Sequence, residues 1–80
     1  MSERNKMIGA RMELHEERRH MFLTVEALRK YMQELLYPLI EPDNLEGEKI
    51  LMLAMQLKKK TDELAKNKER IALLDRELGD

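Results

Sequence analysis

Glu17 and His20 stand three residues apart in the run Glu17-Arg18-Arg19-His20. That Glu-x-x-His spacing sets a carboxylate and an imidazole on one face of a helix, as in four-helix di-iron proteins, where facing helices supply further glutamates. Glu13, Glu16 and Glu63 are the acids that would complete such a site. A metal-binding helical bundle using Glu17 and His20 is therefore one reading of the chain. It requires both groups to project into a core, whereas His20 lies well round the helix from the seam residues Arg18 and Met21. A solvated histidine is the favoured reading, with no cofactor and no metal. His15, beside Ile8 and Phe22, is expected at the boundary of the core, where partial burial would make it pH-responsive.

Nucleophilic and phosphate chemistry find little to work with. The hydroxyl groups belong to Ser2, Thr24, Thr61, Tyr31 and Tyr37, none set beside a histidine in a recognisable arrangement, and Gly9, Gly47 and Gly79 are too scattered for a phosphate loop. No enzymatic activity is expected. The basic run Lys58-Lys59-Lys60, with Lys66, Lys68 and Arg70, is offset by Asp62, Glu63 and Glu69, a pattern that usually clothes a solvated face. The other reading of the face from Lys58 to Arg70 is a recognition surface for an acidic partner. The formal net charge is only −1, and the charges balance in both halves of the chain. Duplex binders draw their affinity from neutralised phosphates and carry a basic excess, so nucleic acid is not an expected partner.

The elements that must position these groups are helices. Ala, Glu, Lys, Leu and Arg fill 46 of the 80 positions, while Val, Ile and Thr together number seven, a balance that favours long helices over sheet. Met7, Arg11, Leu14, Arg18, Met21, Val25, Leu28, Met32 and Leu35 step by four and three in turn, which is a heptad seam. A second row of Ile8, His15, Phe22, Arg29 and Leu36 widens the stripe. Without cysteine there is no disulfide framework and no thiolate metal site, and a cytoplasmic setting is expected. The longest apolar run, Ile50 to Met55, falls far short of a membrane span, and Ser2-Glu3-Arg4-Asn5-Lys6 leads into no signal-peptide core.

Pro38 and Pro42 must interrupt the first helix. The expected layout is a single helical-hairpin domain over residues 1–80: a helix over about 3–37, a connection over about 38–43, and a helix over about 44–78. Asp43 is the expected cap of the second helix, with Glu46 reaching back as in a capping box. From Ile50 the seam resumes through Leu53, Leu57, Lys60, Leu64, Asn67, Ile71, Leu74 and Leu78, and Gly79 is placed to end it in the left-handed conformation. Arg11, Arg18, Lys60 and Asn67 are polar where an idealised seam would hold Leu or Ile. Such residues fix register at a cost in stability, and Arg18 is expected to pair with Glu63.

The stretch from Leu28-Arg29 through Ile50-Leu51-Met52-Leu53-Ala54-Met55-Gln56-Leu57-Lys58 to Asp62-Glu63-Leu64, about half the chain, resembles the sporulation aspartyl-phosphate phosphatases. These are small helical hairpins that act on a response regulator. Their signature, Ser-Gln-Glu-Leu-Asp on the second helix, corresponds here to Ala54-Met55-Gln56-Leu57-Lys58. Lysine stands where that family places its essential aspartate. The resemblance implies a hairpin and a phosphorelay regulator that lacks the catalytic motif.

A two-helix seam buries one stripe per helix, and chains of this size usually need a disulfide, a metal or a partner to offset chain entropy. Met12, Leu23, Leu51, Met52, Met55 and Leu73 point away from the seam. The fold expected is thus an all-α antiparallel two-helix hairpin, coiled-coil-like, that assembles into a dimeric bundle. Leu51, Met52 and Met55, beside Tyr31, Leu36, Tyr37, Leu39 and Ile40, form the expected buried interface. Of these, Leu51, Met52, Met55, Tyr31 and Tyr37 are the expected partner-binding residues, because methionine's flexible thioether suits surfaces that must fit a partner. The expected function is a non-enzymatic protein–protein interaction module.

Overall fold

The computed structural model describes residues 2–79 and contains two long helices, α1 (Glu3–Leu35) and α2 (Gly47–Leu78), with a 3-10 turn over Pro42–Asn44 between them. The helices pack antiparallel as an all-α hairpin, and there is no strand among the described residues. No helix among those residues is long and apolar enough to cross a membrane.

Each end of the two helices has a local cause. Ser2 caps α1, its hydroxyl accepting the Asn5 N–H at 3.2 Å, and Glu3 adds an acid to the first turn, where the helix dipole favours it. The helix stops at Leu35, two residues short of the expected end, because Pro38 disfavours helical backbone in the residue before it and offers no N–H to continue. At the other end of the chain Gly79 takes φ +77° and its N–H bonds to Arg76, the left-handed cap that its position suggested.

The connection differs from expectation. Asp43 does not cap α2. Pro42, with its fixed φ, starts a 3-10 turn that takes Asp43 into helical backbone, and the turn is closed by Asn44 N–H to the Glu41 carbonyl at 2.8 Å. Leu45 then runs extended, and α2 begins at Gly47 behind Glu46, whose side chain makes no capping bond. The capping box fails because a cap residue needs extended backbone, and the 3-10 turn denies it to Asp43.

This later start shifts the pairing by about one helical turn from the one expected. Arg18 Nη1 donates to Asn67 Oδ1 at 3.4 Å, and Glu63 pairs instead with Lys60 on its own helix at 3.2 Å. With Arg18 opposite Asn67, the two heptads mesh along their whole length. Along the rod Arg11 bonds Asp75, Val25 and Leu64 line one hollow, and Met32 and Leu57 line another. All eighteen expected seam positions are at least half-buried. Of the flanking row only Ile8 shares that burial; His15, Phe22, Arg29 and Leu36 are exposed, since a single facing helix has no atoms with which to cover a second stripe.

The core is thin, and it is deepest at the end where the chain termini meet. Asn67, Ile71 and Leu78 are the buried residues, all in the second half of α2. Polar bonds tie the helices together there: Arg4 Nη1 to the Leu78 carbonyl at 3.2 Å, Arg11 to Asp75 at 3.1 Å, and Asn67 Nδ2 to the Leu14 carbonyl at 2.8 Å. Arg4 also places a cation against the negative end of the α2 dipole. Toward the turn, Ile50, Leu53 and Leu57 are only half-buried. The rod measures 60 × 18 × 15 Å with a radius of gyration of 18.1 Å, against about 12 Å for a compact chain of this length.

Candidate interaction surface

Three surfaces surround the turn end of the rod, and the helical period decides what each carries. The first is the flank on which the second α1 row emerges. Met32, Leu36, Tyr37 and Pro38 of the α1 end, with Arg29 and Leu57, line an apolar groove of about 510 Å³. A second hollow of about 260 Å³ continues it, lined by Phe22, Val25, Glu26, Arg29, Thr61 and Leu64. Arg29 belongs to both, so one surface runs from Phe22 to Pro38. Phe22 is held in place by Arg18, whose guanidinium carbon stands 4.7 Å from the ring centroid, a cation–π contact that ties the flank to the register pair in the seam.

The opposite flank is polar at mid-rod and apolar only near the turn. Tyr31, Met52 and Leu53 form a small hollow of about 180 Å³ with Lys49 and Gln56. Further along, Glu17, Glu63, Lys66 and Arg70 surround Met21 and Asn67 in a hollow of about 250 Å³. The Lys49 ammonium is held above its ordinary pKa, chiefly by its bond to Glu46, then by that carboxylate's charge and by Tyr31.

The third surface is the outer face of α2. Leu51, Met52 and Met55 are 61%, 60% and 63% exposed. Leu51 and Met55 are four residues apart and therefore neighbours on one face. At the tip, Leu39 is 79% exposed and Leu45 and Tyr37 are also open to solvent.

The five expected partner-binding residues thus do not form one patch. Leu51 and Met55 look outward from α2, Tyr31 and Met52 share one flank, and Tyr37 lies on the other. Leu36 and Tyr37 belong to the expected interface, but the sequence does not single out the larger groove that they form with Met32 and Leu57 and that Phe22 extends. Its signal was present in the row Ile8, His15, Phe22, Arg29, Leu36, whose spacing marks an α1 stripe that one facing helix cannot cover.

The remaining chemistry-bearing residues sit apart. His20 is exposed and its Nε2 lies 3.4 Å from Glu16 Oε1, while Glu17 faces the polar hollow with Glu63. No group of three or more His, Cys, Asp or Glu is placed to hold a metal ion among the described residues. His15 is exposed rather than at a core boundary. Glu16 is held below the usual carboxylate range, chiefly by its hydrogen bond to Arg19, then by the Arg19 charge, with a smaller effect of His20. Along the basic face, Lys58 bonds Asp62 at 2.8 Å, and that bond and the Asp62 charge raise its pKa. Lys58 is also the position at which the phosphatase signature has its aspartate, and here it points to solvent.

Comparison with protein-family models, with curated proteins and with solved structures returns no match.

Proposed function

We propose that this chain is a non-enzymatic helical interaction module, a small cytoplasmic regulator, inhibitor or adaptor that acts as a homodimer and offers its turn end to another protein. One observation carries the reading: large apolar side chains crowd the turn end on every side, where the seam beneath them is itself only half-buried. A monomeric protein rarely leaves so many large apolar side chains open at one end unless something binds them. The groove beside Tyr37 supports binding rather than catalysis, since Arg29 and the Tyr37 hydroxyl are its only titratable groups and the rest of its wall is Met, Leu, Pro and a Gln side chain.

Leu51, Met52 and Met55 are the residues proposed to meet the heterologous partner. Leu51 and Met55 share the outer face of α2 at i and i+4, Met52 stands beside them on the adjoining flank, and methionine adapts its shape at little cost. The test is site-specific photo-crosslinking in the native cell. A photoreactive residue at position 51, 52 or 55 should give adducts heavier than a dimer of this chain, and the same residue at Glu13 should not. Equal labelling from all four positions would refute the reading.

A further inference from the structure

We infer that the flank running from Phe22 through Arg29 to Leu36 is the seat of a second copy of this chain, stacked antiparallel so that two hairpins form a four-helix bundle. The inference rests on the interaction-module reading and names both the face and its occupant.

Surface area is the first argument. A compact chain of 9.6 kDa exposes about 5,100 Å², whereas this hairpin exposes 6546 Å². The surplus, about 1,400 Å², exceeds the roughly 800 Å² that each partner gives up in a standard interface. A second copy is the occupant whose surface is already known to carry the same surplus.

The choice of face follows from what lines it. Val25, Met32, Leu57 and Leu64 are seam residues left half-open, and all four line the hollows of this flank. Covering it therefore completes the existing core. Covering the outer face of α2 buries no seam residue, and the opposite flank would bring four charged groups, Glu17, Glu63, Lys66 and Arg70, out of water, against only Glu26 and Arg29 on this one.

Self-complementarity is the third argument, because a two-fold interface must match itself. Phe22 and Leu36 lie seven residues to either side of Arg29. An axis at Arg29 brings Phe22 of one copy beside Leu36 of the other, the two knobs filling each other's grooves. Arg29 already pairs with Glu26 of its own helix at 3.5 Å, both groups exposed. In the dimer each Arg29 also reaches Glu26 of the second copy, which offsets the approach of the two guanidinium groups.

The experiment is sedimentation of the full chain up to roughly 100 µM, a range that detects micromolar association. Wild type is expected to dimerise. Leu36→Glu should weaken the dimer about thirtyfold or more, as loss of a buried anchor does, while Met55→Glu leaves it intact. Glu26→Arg should also weaken it by about tenfold, and adding Arg29→Glu should restore it. Because the swap also restores the intrahelical pair, circular dichroism must show Glu26→Arg as helical as wild type, and a loss of helix in that variant would overturn its assignment to the interface. A monomeric wild type, a Leu36→Glu variant that dimerises as well as wild type, or dissociation by Met55→Glu instead would overturn the assignment. The crosslinks from positions 51, 52 and 55 report on the heterologous partner independently, so failure of one proposal leaves the other readable.

Discussion

Replacing Asn67 with leucine should leave the hairpin about as stable as it is now while loosening its register. Asn67 is 3% exposed and spends both ends of its amide across the helix pair: Nδ2 on the Leu14 carbonyl at 2.8 Å and Oδ1 under the Arg18 guanidinium at 3.4 Å. The first bond has ordinary length and contributes about 1 kcal/mol, and the second is long enough to add only a fraction of that. Leucine gives up both bonds. It gains about 2 kcal/mol from a buried side chain, and its removal of the amide strands nothing: Leu14 retains its own intrahelical donor, and Arg18 keeps Phe22 and the solvent. The net change in Asn67→Leu is therefore within about 1 kcal/mol of zero.

Asn67→Ala is the contrasting case. It loses the same bonds, gains little apolar area and leaves a gap between helices, so it should cost about 2 kcal/mol. Urea unfolding followed by helical circular dichroism, at one fixed protein concentration, separates the two. The amide's other contribution is specificity, as with single polar residues in coiled-coil seams. Spin labels at the exposed positions Met12 and Leu73 should give one narrow distance distribution in the wild type and a broader or split one in Asn67→Leu. If leucine destabilises the fold as much as alanine does, the reasoning about offsetting terms is wrong. If it leaves the distances as narrow as before, Asn67 does not set the register.

Two further predictions use the ends and the surface of the helices. Gly79→Ala should lower stability by about 1 kcal/mol, because φ +77° is strained for any residue with a Cβ, whereas Gly9→Ala should raise it by up to about 1 kcal/mol, since Gly9 is mid-helix and a methyl there meets no atom within 4 Å; thermal unfolding of both variants checks the signs. Glu16, whose folded pKa is depressed, contributes its small stabilisation above the ordinary carboxylate range and loses it as pH falls through the folded midpoint. An NMR titration of its side-chain carboxyl should show a lowered midpoint that Arg19→Ala returns toward normal more fully than His20→Ala does.

Much of this architecture could be read from the order of residues. Both seams are visible as runs stepping by four and three, and every position in them turns inward, because a heptad has one continuous face and a hairpin has one facing helix to meet it. Pro38 and Pro42 likewise announce a break. What they do not announce is the shape of the link. Whether Asp43 caps a helix or enters a 3-10 turn depends on a balance of a few local bonds around Pro42, and that choice moved α2 by three residues and Arg18 from Glu63 to Asn67. The candidate interaction surface was legible only by half. Outward-facing Leu51 and Met55 follow from the wheel alone, but the groove at Leu36 is made jointly by Met32, Pro38 and Leu57, and no single helix contains it.

Burial and cross-helix bonds are concentrated at the end where the chain's termini meet, with Arg4 on the Leu78 carbonyl and Asn67 on that of Leu14. A hairpin is ordinarily imagined as hinged at its turn and frayed at its tips. Here the gradient runs the other way: the buried residues Asn67, Ile71 and Leu78 lie toward the termini, while Ile50, Leu53 and Leu57 nearer the turn are only half-buried. Opening is therefore expected to begin near the covalent link, and faster amide exchange over residues 50–57 than over residues 67–78 would show it.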